Sequence, residues 1–289
     1  PYKYFAEEYR QRGSQVTEQV INMTSQEKAA IYHALAVNYK DENKVYRYNC
    51  FYDNCTTRAR DMIERNLDGK VKYINSEQEQ SYRELLHQYT DKYPWAKFGV
   101  DLCLGFMADR RIGSREQQFL PDYMMIDAEK AQIMSDGSFR PLVEESRNAV
   151  VPGVQIVEQP FPLTPVECAL ILLFLSLAIM GLELHRKKVF RIWDTLIMLI
   201  TGLAGLFILA LIFSQHPTTS TNLQILLLNP LPLFFILRLW RKPQNRLYWK
   251  ISTGLIILFF IGGALQDYAE GMNLVALSLL TRCVTHFKL

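Results

Sequence analysis

The sequence predicts an α+β domain over residues 1–150, a linker at 151–165, and an all-α membrane domain of about five transmembrane helices over 166–289. Three observations predict it. Up to about residue 150, short runs of strand and helix periodicity alternate, separated by capping and turn signals. Residues 150–165 hold four prolines and no periodicity, which reads as a linker. Beyond Pro165 the chain becomes apolar, and its basic residues gather in alternate loops.

Residues 15–23 alternate apolar and polar side chains, as a half-buried strand does. Thr24 followed by Glu27 is a capping box and opens a helix to about Tyr39, with Ala29, Ile31, Ala34 and Leu35 on its apolar face. Val45–Tyr52 alternates and is aromatic-rich, so a strand is expected. Asp53 or Asn54 caps the next helix, whose apolar positions are Ala59, Met62, Ile63 and Leu67, and Gly69 closes it. Val71–Ile74 suits a short strand. Asn75 or Ser76 caps a helix to about Tyr89. Trp95–Met107 reads as another helix, and Ser114–Ala131 as helix interrupted at Pro121. Asp136-Gly137 between two short runs signals a hairpin within Gln132–Val143.

Residues 166–184, 192–213, 223–240 and 251–265 are apolar runs long enough, or nearly so, to cross a hydrocarbon layer of about 30 Å. Residues 272–286 form a shorter fifth run that contains Arg282. Snorkelling to a nearby membrane surface is the simplest expectation for that arginine. Loop 185–191 carries Arg186, Lys187, Lys188 and Arg191, and loop 238–250 carries Arg238, Arg241, Lys242, Arg246 and Lys250. Loops 214–222 and 266–271 carry no Lys or Arg. The basic loops therefore face the cytoplasm, and residues 1–150 lie on the opposite side with His216.

Charge supports the division. Residues 1–163 hold 21 Lys+Arg against 24 Asp+Glu, and residues 164–289 hold 11 against 5. The surplus of positive charge lies in the short loops, so it is a topology signal and no nucleic-acid footprint. Five cysteines, an odd and sparse set, do not make a disulfide framework. Cys103, Cys168 and Cys283 fall in apolar runs and are expected as packing residues. No cofactor or metal is expected, since Cys50 and Cys55 lack a companion Cys or His pair. The opening Pro1–Phe5 reads as the middle of a domain, and a fragment of a longer protein is expected.

Cys55 stands where the aromatic run gives way to a helix. A helix N-terminus presents unpaired N–H groups and partial positive charge, which favour a thiolate. Arg58, one turn on, adds a second positive group. A structural cysteine, or a Cys50–Cys55 disulfide, explains the same pattern. Asn54 reads as a helix cap, with the alternatives of orienting the thiol or donating to an oxyanion. Arg58 has the alternatives of supporting the thiolate, binding a lipid phosphate, or pairing with Asp61 on the helix surface. Of the histidines, His33 and His87 lie on helices, and His185 and His286 fall on the cytoplasmic side. His216 shares the side of Cys55 near the membrane surface, in a loop fixed by Pro217. Spacing makes none of the five a base for Cys55. Asp101 and Asp109 read equally as helix-end acids and as acids that support a site, and Asp267 and Glu270 read as interfacial loop acids, with contact to a substrate amine as the alternative.

The run Tyr48-Asn49-Cys50-Phe51-Tyr52-Asp53-Asn54-Cys55-Thr56-Thr57-Arg58, followed by Arg60-Asp61, resembles the signature of the Lnb-type lipoprotein N-acyltransferases. Three further stretches resemble the same family: Asp101–Arg110, Phe119–Tyr123, and the His216-Pro217 loop leading to Asn222 and to Leu228-Asn229-Pro230-Leu231. The resemblance implies a permuted papain-like thiol domain on a multi-pass anchor in a bacterial inner membrane. It implies Cys55 as nucleophile, and a histidine that precedes it in the chain, upstream of Pro1. It implies phospholipid and lipoprotein substrates: an acyl chain passes through a Cys55 thioester to the α-amine of a diacylglyceryl-cysteine. Two other readings stay open. One is a papain-like peptidase or amidase acting on cell-wall peptide, for which one span at most would serve. The other is a non-enzymatic membrane assembly protein with a structural Cys55.

Overall fold

The computed structural model describes residues 1–74, 79–154, 161–242 and 246–289. The chain divides into two compact units, Pro1–Gln80 with Arg111–Gln159 and Ser81–Arg110 with Pro160–Leu289. Residues 81–110 thus cluster with the apolar C-terminal part, where the sequence suggested that they belong with residues 1–150.

The first unit is mixed α/β. The strand Val16–Ile21 pairs antiparallel with Val143–Val150, Val16 opposite Val150 and Ile21 opposite Val143. A second sheet orders Lys70–Lys72, Gln132–Ser135 and Ser138–Pro141 side by side. Its hairpin turns through Asp136 at φ 43° and Gly137 at φ 81°, the left-handed pair that a two-residue turn requires. Leu67, Ala128, Ala131, Ile133, Leu142 and Val143 form the core beneath this sheet. Ile133 and Leu142 are almost fully enclosed, and each such burial stabilises by about 2 kcal/mol. The helix Ser25–Asn38 starts at the expected box, with Thr24 and Glu27 capping each other.

Several local expectations are corrected. Val45–Tyr52 is not a strand. It has no partner strand among the described residues, Val45 is 78% exposed, and its end closes as a turn in which Asn49 and Asp53 exchange backbone hydrogen bonds of 3.0 Å. The helix that follows Asn54 ends at Arg65, before Gly69, which opens the strand Lys70–Lys72. The cap expected at Asn75 or Ser76 lies outside the described residues; the helix seen is Tyr82–Thr90, capped by Ser81. The helix expected over Trp95–Met107 runs from Pro94 to Cys103 and yields to a 3-10 turn at Phe106–Asp109.

Glu64 ties the Cys55 helix to its neighbours. It accepts from the Tyr73 hydroxyl at 2.7 Å and from Arg115 at 2.8 and 2.9 Å. Burial alone would push its carboxyl up, but the Arg115 and Tyr73 hydrogen bonds outweigh it and hold the carboxyl below its ordinary 4.5. A depressed carboxylate contributes stability that is present above the unfolded value and lost as the pH falls through the folded one. Thermal stability is therefore expected to fall as the pH drops below 4.5, and Glu64→Gln to flatten that acid limb while lowering stability at neutral pH.

In the second unit, three stretches are long and apolar enough to cross a membrane: Pro165–Arg186, Arg191–Ile212 and Pro217–Arg241. Leu247–Gly262 is a shorter apolar helix, and Met272–Lys288 follows it. The third stretch is not one continuous helix. It comprises a turn of helix at Pro217–Ser220, a 3-10 turn at Leu223–Leu226 and the helix Leu231–Arg241. Pro230 and Pro232 lack the N–H groups that a continuous helix would use. The core joins Ile197, Met198, Ile208, Trp249, Ile256, Phe259, Ala276 and Cys283.

Arg282 does not snorkel. It is fully buried, donates to both oxygens of Glu183 at 2.6 and 2.9 Å, and donates to Asp194 at 2.7 Å. His286 holds the other Asp194 oxygen at 2.8 Å and stacks on Trp249 at 4.1 Å. An arginine in hydrocarbon is costly unless paired, and here two carboxylates pair it.

Candidate active site

Cys55 is the first residue of the helix Cys55–Arg65, and Asn54 is the reason that the helix starts there. The Asn54 backbone is extended, and its side-chain oxygen accepts from the Thr57 amide at 2.9 Å. Thr57 returns the bond by accepting from the Asn54 amide at 2.9 Å. The Asn54 side-chain amide donates to the carbonyls of Cys50 at 2.9 Å and Phe119 at 2.8 Å. Both of its hydrogens are engaged, so Asn54 fixes the turn and the helix head. Phe51 packs on Phe119 with ring centroids 5.1 Å apart, which seats the same turn on the rest of the unit.

This capping leaves two amides over. The Thr57 amide goes to Asn54, whereas those of Cys55 and Thr56 donate to nothing among the described residues. They stand beside the exposed Cys55 thiol, where a helix head favours negative charge.

Arg58 differs from expectation in its partner. It clamps Asp53 with bonds of 2.7 and 2.9 Å and lies 3.4 Å over the Tyr46 ring. Asp61 pairs instead with Arg60, at 2.8 Å. The Arg58 hydrogen bond holds the Asp53 carboxyl below its ordinary value. Arg58 therefore braces the turn that precedes Cys55, and Asp53 offsets its charge.

All five cysteines are free, Cys50 and Cys55 included. Burial first, and the neighbouring Cys55 second, push the Cys50 thiol up. Tyr48 is raised by burial and by both thiols. The two cysteines are thus neighbours in space with unequal surroundings: Cys55 has the helix head and Cys50 does not.

Cys55 opens onto a groove of about 680 Å³, lined by Gln15, Thr17, Gln19, Thr56, Ala59, Pro121, Asp122, Met124 and Met125. Ala59 and the two methionines make an apolar, adaptable floor, and the glutamines and Thr17 make a polar wall. The arrangement suits a substrate with an apolar chain and a polar reacting group.

The second unit holds a polar cluster that spacing did not reveal. Arg83 is buried and donates to Asp101 at 2.8 Å and Asp109 at 2.5 Å. Asp101 also holds His87, at 2.9 and 3.0 Å. Burial pushes the Asp109 carboxyl up despite Arg83, and Asp267 adds repulsion. Gln224 donates to the Asp101 carbonyl at 2.9 Å, and Gln266 to the Leu104 carbonyl at 3.1 Å. Lys97 bridges Asp91 and Glu270 at 2.8 and 3.0 Å, so Glu270 is an ion-pair partner.

Two stretches far apart in sequence meet in this cluster. The Gly105 amide donates to the Thr218 carbonyl at 2.7 Å, and the Phe106 amide to Thr221 at 3.0 Å. A Cβ on Gly105 would lie 2.2 Å from the Thr221 carbonyl oxygen, which only glycine avoids. Asp101–Arg110 and His216–Asn222 are therefore one structural element. His216 is half-buried and starts the helical turn Pro217–Ser220. It belongs to the second unit, and Cys55, Asn54 and Arg58 to the first. The readable signal was Asp101, an acid inside an apolar run, which needs a buried partner.

The comparisons with known proteins agree across both units. Residues 1–88 match the family description "Lnb N-terminal periplasmic domain", and residues 156–289 match "Lnb transmembrane domain". No curated protein and no solved structure matched the chain.

Proposed function

The chain belongs to the Lnb family, and from that premise we propose that it is a lipoprotein N-acyltransferase with Cys55 as its nucleophile. It is a membrane protein with a periplasmic part. In this reading the first unit is a permuted papain-like thiol domain in a bacterial inner membrane protein. The observation that carries the proposal is the exposed Cys55 thiol at the first position of a helix, beside two unoccupied amides and an apolar groove.

The Cys55 thiolate attacks an ester carbonyl of a phospholipid. The tetrahedral oxyanion takes hydrogen bonds from the Cys55 and Thr56 amides, donors already oriented by the cap. The C–O bond breaks, the alcohol of a lysophospholipid leaves with a proton, and a thioester stays on Cys55. The α-amine of a diacylglyceryl-cysteine attacks that thioester and loses a proton. An amide forms, and the Cys55 thiolate is regenerated. Asn54 and Arg58 position the helix head. His216 is assigned to substrate contact within the second unit.

The test is a cell depleted of its own lipoprotein N-acyltransferase and given this protein with Cys55 intact or as Cys55→Ala. The mass of a reporter lipoprotein's N-terminal peptide is read. The intact protein is expected to add one acyl group and Cys55→Ala none. An unchanged mass with the intact protein, at normal membrane levels, sinks the assignment.

A further inference from the structure

A second groove lies within the membrane unit, at the end away from the Arg83 cluster, and it does not depend on the proposed acyl transfer. It measures about 970 Å³ and lies among the Lys187–Arg191 loop, the end of Leu231–Arg241 and the start of Leu247–Gly262. Its charged lining is Lys187, Lys188, Arg191 and Arg246, with His286 at the inner end. None of the four cations makes an ion pair or a side-chain hydrogen bond among the described residues, and no Asp or Glu lines the groove.

The nearest carboxylates are already engaged. Glu183 and Asp194 are fully buried and saturated by Arg282 and His286. The Phe190 amide also donates to Glu183, at 2.5 Å. The negative charge beneath the groove is thereby balanced, and the four cations at its mouth are a surplus. The backbone holds them in place. Lys187 caps the helix Pro165–Arg186 in the left-handed conformation at φ 50°, which few non-glycine residues adopt. Its amide and that of Lys188 both return to the Glu183 carbonyl.

The remaining lining side chains are apolar: Val189, Phe190, Ile192, Leu239, Trp240 and Leu289. Trp240 is exposed yet fixed, because its indole N–H donates to Thr195 at 3.0 Å. These walls continue into helices whose outward leucines and isoleucines are exposed, as for a surface in hydrocarbon. With the Lnb periplasmic domain at the N-terminus, the loop after the first long helix lies on the cytoplasmic side, as its charge requires.

We propose that this groove is a binding site for an anionic phospholipid of the cytoplasmic leaflet. Its phosphate sits among Lys187, Lys188, Arg191 and Arg246, and its acyl chains lie along the Phe190–Trp240 wall. Basic pockets between transmembrane helices on this side hold acidic headgroups. The size of the groove and its apolar walls favour a lipid over a free phosphate. Four cations favour a headgroup with two phosphates over one.

The test uses the full chain, purified in detergent and stripped of lipid. Phosphatidylethanolamine, phosphatidylglycerol and cardiolipin are each added and counted by native mass spectrometry. Two double variants remove equal charge from the same side, Arg191→Gln with Arg246→Gln inside the groove and Arg241→Gln with Lys242→Gln outside it. The wild type is expected to hold cardiolipin most tightly and phosphatidylethanolamine least. The groove variant is expected to bind cardiolipin about tenfold more weakly, and the outside variant to match the wild type. Equal losses in the two variants, or no preference for acidic lipid, overturn the site. In a parallel thermal-shift arm, millimolar inorganic phosphate is expected to stabilise the wild type less than cardiolipin does. Equal stabilisation overturns the lipid as ligand. A groove variant with an unfolding midpoint below that of the lipid-free wild type is replaced by Lys188→Gln alone, for which about threefold weaker cardiolipin binding is expected.

Discussion

Arg282→Met is expected to destabilise the membrane unit by about 3–5 kcal/mol, the usual cost of removing one partner from a buried ion pair. The arginine holds Glu183 and Asp194 together, all three fully buried. Without it, two carboxylates are left in an apolar interior, Asp194 with His286 and Glu183 with the Phe190 amide. They must then take up protons or draw in water. Thermal unfolding in detergent, followed by circular dichroism, measures the effect. Adding Glu183→Gln and Asp194→Asn to Arg282→Met is expected to recover most of the loss, because the uncompensated charge is gone. A single variant as stable as the wild type would mean that the three groups are not packed together as described.

Arg83→Met is expected to have an effect of similar size, about 3–5 kcal/mol, on the polar cluster at the other end of the same unit. Arg83 is 1% exposed and joins Asp101 to Asp109. It also donates to the carbonyls of Leu104 and Gly105. Its loss removes the buried cation between two carboxylates, leaving Asp101 with His87 alone among the described side chains, and takes a hydrogen bond from each of two carbonyls. Lys97→Met at the rim is the matched control. Lys97 retains 18% exposure in its side chain, and water can solvate the carboxylates that it leaves, so a much smaller loss is expected. Equal losses would locate the stabilising charge at the rim and not in the buried cluster.

Much of this fold was legible because its determinants are local. Thr24 with Glu27, Asn54 with Thr57, and Asp136-Gly137 each act across at most three residues, and each marks the boundary seen. The position of Cys55 at a helix head was read in the same way. Val45–Tyr52 misled because alternation reports a face, and a strand also needs a partner, which this segment lacks. Hydropathy marked the apolar run 223–240, which lies in a stretch apolar enough to cross a membrane, but it does not register the backbone break at Asn229-Pro230.

The partners of Arg282 lie 88 and 99 residues away, beyond the reach of any spacing rule. The Arg83 cluster escaped for the same reason. Arg83 sits on a helix that looks solvated, and only the meeting of residues 101–110 with 216–222 buries it. At the candidate site the helix cap was readable, but its consequence was not. That Asn54 takes the Thr57 amide and leaves those of Cys55 and Thr56 open is a matter of geometry.

The acyl-enzyme itself gives the most direct measurement. The full-length protein in detergent is incubated with phospholipid alone, without an acceptor amine, and the peptide containing Cys55 is weighed. The expected result is a gain of one acyl mass on Cys55, absent in Cys55→Ser and removed by hydroxylamine at neutral pH, as a thioester is. A protein that N-acylates its acceptor while Cys55 stays unmodified, and that keeps this activity as Cys55→Ala, would contradict the assignment of Cys55 as the nucleophile.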